Sequence, residues 1–340
     1  MPAGKSGKRL AALAALLTAG AGLTAGAGLG AAQPAGAATR APARPPAVTQ
    51  TIPVDLGPCA VAVSPRTGQI YVTNYTVGTV SIISGRTDTV TSTIPGNLSA
   101  DSVAVSPQTG KVYLTDTGSG TVDSTVLVIS GRTDTVTSTI GVGRYPDAVA
   151  VSPRTGEIYV ANENDGTVSV INGRTGTVTS TIGVGTFPDA VAVSPRTGEI
   201  YVVNSADDTV SVINSRTGTV TSTIPVGVSP YAVAVSSRTG EIYVVNSGDN
   251  TVSVINGWTN TVTSTIGVGQ LPEGVAVSPQ TGKIYVTNYN DGTVSVINGW
   301  TDTVTSTIGV GQGPSAVAVS PRTGKIYVTN FIDETVSVLS

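Results

Sequence analysis

Asp101, Asp147, Asp189 and Glu273 recur at one address, each immediately before a short run of the form AVAV. Cys59, Tyr231 and Ser315 occupy the same address in the other copies. Carboxylates gathered in one place offer hard oxygen ligands, so Ca²⁺ is the one ion this set suggests, and they would equally draw a cationic partner. A second address, the residue after the Asn of IYVxN, carries Tyr75, Thr117, Glu163, Ser205, Ser247, Tyr289 and Phe331. A third, in a turn that elsewhere reads NGRTG, holds Trp258 and Trp300 in place of Arg. Two exposed indoles could stack on sugar or peptide. Each set has a plainer explanation beside it. Asp begins turns well and keeps a surface solvated, and Trp for Arg is within the drift of a repeat.

Much other chemistry is excluded. The chain has no histidine. That removes Ser-His-Asp and Cys-His catalysis, His-ligated zinc and His-ligated haem. No Gly-x-Ser-x-Gly elbow, phosphate-binding loop or zinc-type Cys spacing is present. NENDG (162–166) and NYNDG (288–292) lack the acidic series and distal Glu of an EF-hand and read as hairpin turns. A carboxylate pair could still do acid–base work, yet nothing marks one pair as special, so no catalytic residue is assigned.

The elements that must position these residues follow from a repeat. The AVAV-type run begins at 60, 102, 148, 190, 232, 274 and 316, a spacing of 42 residues except for one of 46. Each unit carries four strand signals, such as AVAVS, EIYVAN, TVSVIN and TVTSTI, with Gly, Asn, Asp and Pro at the turns between them. Charged residues are only 11% and aromatics 4%, which excludes a helical bundle. Four short antiparallel strands per ~40 residues point to an all-β seven-bladed β-propeller. The last unit, ending ETVSVLS, lacks its fourth strand, and VTQTIPVDLGP (48–58) aligns with VTSTIGVGQGP (304–314). The N-terminal strand is therefore expected to complete the final blade and close the ring.

IYVTNYTVGTVSII, IYVTNYNDGTVSVI and IYVTNFIDETVSVL resemble the YVTN-type β-propeller repeats of surface-layer and secreted proteins. The resemblance covers about residues 48–340. It implies the propeller fold but leaves function open, because related propellers range from lactonases to ligand-binding modules.

Hairpin connectivity sorts the loops onto two faces. The turns after IYVxN and the connectors before AVAV share an upper face with fifteen acidic residues and one basic, Arg144. The PRTG and GRTG turns share a lower face with twelve basic and six acidic residues. A net charge of −3 hides this polarity and gives no general reason to expect nucleic acid. The first 37 residues have a basic start, an Ala/Leu/Gly run and AGA at 35–37, the pattern of a cleaved signal peptide, followed by a Pro/Ala linker over 38–47. A single cysteine, Cys59, allows no intrachain disulfide.

The expectation is a secreted or cell-envelope binding or structural module. It would be monomeric, with no haem, no membrane span after cleavage, and no cofactor other than Ca²⁺. Asp101, Asp147, Asp189, Tyr231 and Glu273 would ring the channel mouth, and Tyr75, Glu163, Tyr289 and Phe331 would contact an unidentified protein or envelope component. A lactonase-like enzyme in the channel and an acidic-polymer binder on the basic face are the alternatives.

Overall fold

The computed structural model describes residues 46–96, 98–118 and 124–340. The leader and nearly all of the linker expected over 1–47 lie outside them. Residues 47–340 form one compact unit of seven four-stranded antiparallel sheets. In blade 1 the strands are Pro58–Val63, Gln69–Asn74, Thr79–Ser84 and Thr89–Ile94, paired in that order. Blades 2 to 6 repeat the quartet, and blade 2 has a short inner strand, Val103–Val105. Among the described residues the one helical element is a 3-10 turn, Glu163–Asp165, and no helix is long and apolar enough to cross a membrane.

The burial pattern explains the composition. In blade 3 the second strand, Ile158–Asn162, is buried at every residue, and the third, Thr167–Asn172, is buried except at its ends. Both faces of these strands meet neighbouring blades, so both need β-branched or small side chains. The outermost strand, Thr177–Gly183, is exposed except for Ile182, which turns inward. Blade seams are formed by interlocked apolar side chains. Ala148, Tyr159, Val168 and Ile182 of blade 3 pack on Val191, Ile200, Val202 and Ile213 of blade 4. Each such side chain contributes about 1.5–3 kcal/mol by leaving water.

Closure is as the sequence implies. The seventh blade is Pro314–Val319, Ile326–Asn330 and Thr335–Leu339, with Val48–Pro53 as its fourth strand. Thr51 pairs with Ser337 and Ile52 with Val336, in antiparallel register. Ala47 and Ser340 exchange backbone hydrogen bonds at 3.2 Å. Ile52, Tyr327, Val336 and Val338 then pack against Ile70, Val72 and Ile83 of blade 1, so the last seam is made like the others.

Ile52 is 3% exposed and Val48 is 37% exposed on the same strand. Ile52→Ala is expected to lower stability by about 2–5 kcal/mol in denaturant unfolding, and Val48→Ala to change it little. Equal effects would mean that this strand does not carry the seam.

Candidate functional site

In six of the seven blades the upper face is built on one buried side chain. The Asn that ends the second strand donates to two hydroxyls of the third. Asn204 Nδ2 reaches Thr209 Oγ1 at 3.1 Å and Ser211 Oγ at 2.9 Å, and Asn74, Asn162, Asn246, Asn288 and Asn330 repeat the pair. Asn204 Oδ1 also accepts from Gly185 N, at 3.1 Å, in the connector to the inner strand. A Cβ on Gly185 would lie 2.5 Å from Asn204 Cγ, which is why the connector reads GVG. Satisfying a buried amide this way is worth more than the bonds alone, since an orphaned one is costly.

The acidic turns have a similar task. Asp165, Asp207, Asp249, Asp291 and Asp333 each accept from the backbone N–H of a connector residue 21 positions earlier, at 2.7–2.8 Å. Asp208 likewise accepts from Ser229 N at 2.8 Å. Sequence reasoning grouped these carboxylates only as surface charge. The signal for their anchoring role was an Asp at the same turn position in five consecutive blades.

These bonds fix two adjacent variable addresses. The first residue of each turn donates its N–H to the residue just before the connector proline: Tyr75 to Gly57, Glu163 to Tyr145, Ser205 to Phe187, Ser247 to Ser229, Tyr289 to Leu271 and Phe331 to Gly313, at 2.8–3.0 Å. The backbone before proline is left-handed throughout, with φ of 58° at Tyr145, 52° at Phe187 and 49° at Ser229 and Leu271. Glycine fills this position in blades 1 and 7, whereas the side chains elsewhere are held there at a cost of about 1–3 kcal/mol each. Ser247 Oγ donates to Pro272 O, and Tyr289 lies under Gly313, so this address bridges neighbouring blades.

The expected mouth residues sit at the start of the inner strands and are more enclosed than a rim of loops implies. Asp147 and Asp189 are 0% exposed, Asp101 5%, Glu273 6% and Tyr231 8%. Cys59 Sγ contacts Thr73 Oγ1 and reaches Ala100 O of the next blade at 3.3 Å, and Ser315 Oγ donates to Pro58 O at 3.1 Å. Inner-strand starts therefore adjoin around the channel. Glu163 and Tyr289 are also buried, while Tyr75 and Phe331 are half-buried. Among the described residues no three His, Cys, Asp or Glu side chains lie close enough to share a metal ion.

Sequence reasoning placed Tyr75, Tyr231, Tyr289 and Phe331 on the upper face and overlooked Tyr145 and Phe187 beside them. Of fifteen aromatic residues, seven are the seam tyrosines Tyr71, Tyr113, Tyr159, Tyr201, Tyr243, Tyr285 and Tyr327, and two are Trp258 and Trp300. The other six, Tyr75, Tyr145, Phe187, Tyr231, Tyr289 and Phe331, all belong to the upper turns, connectors and strand starts.

The lower face is stitched into a ring. Arg66 Nη1 donates to Gln108 O, Gln108 Nε2 to Arg154 O, Arg154 to Arg196 O, Arg196 to Arg238 O, Arg238 to Gln280 O, Gln280 to Pro321 O and Arg322 to Arg66 O, at 2.7–3.1 Å. A cleft of about 1030 Å³ opens between blades 1 and 2, lined by Arg66, Lys111 and Arg132 among threonines and serines. Trp258 and Trp300 are both 65% exposed. Just inside this face, Tyr159, Tyr201 and Tyr243 donate to Glu157, Glu199 and Glu241 at 2.9–3.1 Å, and Tyr327 donates to Asp88 at 3.1 Å. Burial raises the phenol pKa of all seven seam tyrosines, and the adjacent carboxylate adds to this at Tyr71, Tyr159, Tyr201, Tyr243 and Tyr327.

Comparison with known proteins agrees with this architecture. Residues 147–239 match the family described as YNCE-like beta-propeller. A search of curated proteins gives no match. Among solved structures the chain is similar to Kuenenia stuttgartiensis hydrazine synthase, with a TM-score of 0.74 and 20% identity over 84% of this chain and 96% of that one. At that identity the likeness is one of fold. With the repeat itself, these findings agree on a β-propeller fold, and the family match is to residues 147–239.

Two expected outcomes test the framework of the faces. Gly185→Ala should destabilise by more than 1 kcal/mol as read by thermal unfolding, because its Cβ meets Asn204, whereas Gly183→Ala, with nothing within 4 Å, should not. The seam tyrosines favour the neutral phenol in the folded state, so their contribution is complete below the ordinary value near 10 and is lost as pH rises beyond it. Ultraviolet titration should show these phenols ionising only together with loss of the β-sheet circular dichroism. Ionisation of all eleven tyrosines near pH 10 in the folded protein would contradict the seam geometry.

Proposed function

We propose that the protein is a non-catalytic binding module of the cell exterior, taking a cationic segment of a protein or envelope component at its upper channel mouth. The carrying observation is the occurrence of six aromatics with Asp101, Asp147, Asp189, Glu163 and Glu273 on the upper face, where the turns and connectors vary from blade to blade. Aromatic faces and carboxylates together suit an ammonium or guanidinium group, which gains from both the ring quadrupole and the negative charge. Side chains kept in a left-handed backbone, where glycine serves in two blades, support a role for those side chains beyond folding. The carboxylates are spread over blades 2, 3, 4 and 6 rather than forming a tight ligand group, which favours an extended organic cation over a bare ion. The leader-like first 37 residues support a place outside the cytoplasm. The absence of histidine supports binding over catalysis, with Ca²⁺ at the same ring as the competing ligand.

Calorimetry with oligolysine and, separately, with CaCl₂ distinguishes these readings. Oligolysine should bind in a salt-sensitive manner. The combined change Asp101→Asn, Asp147→Asn, Asp189→Asn and Glu273→Gln should weaken it at least tenfold, about 1.4 kcal/mol. Tyr75→Ala with Phe331→Ala, both at half-buried positions, should weaken it several-fold without unfolding the chain. Binding of Ca²⁺ alone would assign the ring to a metal, and unaltered oligolysine binding in both variants would remove the proposal.

A further inference from the structure

The lower face departs from its own repeat in two neighbouring seams. Six of the seven seams bring the lower turn of one blade against the outer turn of the next; in blade 7 the two ends of the chain stand where that turn would be. At the seam of blades 1 and 2 these residues are Arg66 and Gln69 with Arg132 and Asp134, and at blades 7 and 1 they are Arg322 and Lys325 with Arg86 and Asp88. There they are joined by polar contacts: Gln69 Nε2 to Asp134 Oδ2 at 3.4 Å and Lys325 Nζ to Asp88 Oδ2 at 2.6 Å. At blades 4 and 5 the set becomes Arg196, Glu199, Trp258 and Asn260, and at blades 5 and 6 it becomes Arg238, Glu241, Trp300 and Asp302. The same four-part arrangement thus occurs twice in succession, an indole replacing a guanidinium each time.

The two copies are organised alike. The Arg196 guanidinium lies 5.5 Å from the Trp258 ring centroid, and that of Arg238 lies 5.8 Å from Trp300. Each guanidinium is itself fixed through Nη1 to the next blade's carbonyl, at 2.7 and 3.0 Å. The turn backbones are fixed too, since Trp258 N and Trp300 N each donate to the preceding Asn side chain at 2.9 Å. An indole covered on one face by a fixed cation, yet 65% exposed, leaves its other face to solvent. Beside the first indole, Tyr201 Oη donates between Glu199 Oε2 at 3.1 Å and Asn260 Oδ1 at 3.3 Å. Beside the second, Tyr243 Oη donates to Glu241 Oε2 at 2.9 Å, and Asp302 lies close enough to Glu241 for the two carboxylates to repel.

We infer that Trp258 and Trp300 form two consecutive subsites for a neutral polysaccharide. One sugar ring stacks on each indole, with hydroxyls bonded by Glu199, Asn260, Glu241, Asp302 and the two arginines. The chemistry fits this ligand class. The apolar C–H face of a pyranose matches a flat indole, and its hydroxyls need both donors and acceptors around the rim. A repeated subsite at a one-blade step suits a polymer of like units, since two linked weak contacts bind far more tightly than one. The charge excludes a polyanion here: two arginines face three carboxylates, whereas the cationic cleft lies elsewhere, at blades 1 and 2. This site is on the opposite face from the cation-binding mouth and does not depend on it.

The chain contains only two tryptophans, both in this site, so intrinsic fluorescence reports it directly. The probes are soluble oligomers of glucose and of N-acetylglucosamine, with single-stranded DNA and a sulfated polysaccharide as the charged comparison. A saturable fluorescence change with one of the neutral oligomers, unaltered by 0.5 M NaCl (roughly a 4–5 Å Debye length), is the expected result. Trp258→Arg and Trp300→Arg, which restore the repeat's own residue on exposed positions, should each weaken retention on the corresponding insoluble polysaccharide at least tenfold. The Asp101, Asp147, Asp189 and Glu273 variant should retain it in full. Absence of any response to the neutral oligomers overturns the inference, as does tighter binding of DNA or sulfated polymer that salt abolishes, or unchanged retention in both arginine variants.

Discussion

Everything in this molecule rests on sheets whose two faces are both apolar. Ile158, Val160 and Val168 of blade 3 cannot face water on either side, and a row of such blades has no satisfactory end. A closed ring removes the ends. The pairing of Ile52 with Val336 is what makes the ring closed, because it gives blade 7 its outer strand and seats that blade against blade 1. The seams are alike, so a small vocabulary of Val, Ile, Ala and Tyr suffices for all of them, and the strands are repeated almost word for word. Loops at the two faces carry no such constraint and are free to differ.

The polar interactions follow from that packing. Tight seams bury the strand ends, and buried amides and hydroxyls must find partners. The Asn of IYVxN joins two hydroxyls on the third strand to the connector, the turn Asp holds the connector's next N–H, and the lower arginines reach from blade to blade. These repeated contacts account for most of the polar motif. Charge on either face is consequently a poor guide to binding by itself. What remains after the repeated contacts are subtracted is the informative part: the residues that vary on an unvarying backbone.

The architecture was legible because it is written seven times. Strand number, blade number, the missing last strand and its replacement at Val48–Pro53 all follow from aligning the copies. The position of the expected mouth residues along the chain was legible as well, since Asp147, Asp189, Tyr231 and Glu273 stand at inner-strand starts and Asp101 lies just ahead of Val103–Val105. Their enclosure was not. Burial depends on how closely adjacent inner strands approach and on what the neighbouring turn covers, and Tyr289 under Gly313 is a contact between residues of different blades. The anchoring of Asp207 or Asp249 on a connector was hidden for a similar reason, as it joins residues 21 apart that no strand pattern relates. The connector aromatics Tyr145 and Phe187 were hidden in another way. Only the left-handed backbone before proline shows that glycine would have been easier at these positions.

A repeat offers an internal standard that a single domain lacks. Where the same seam is solved by Lys325 with Asp88 in one place, the approach of Glu241 to Asp302 in another is a departure with a cost, since burial and the neighbouring carboxylate both raise the pKa of Asp302. A neutral or cationic residue at either position would remove that repulsion, as Asn260 does in the adjacent seam and Lys325 does two seams away. The departure also coincides with the replacement of arginine by tryptophan, which exchanges a solvated cation for a large apolar surface left in water. Two unfavourable choices in adjacent seams, each avoidable with residues the repeat already uses elsewhere, are hard to reconcile with folding as their only purpose. The upper face follows the same logic, with bulky side chains in a backbone conformation where two blades use glycine. On both faces, function is best sought where the chain forgoes its own better solution.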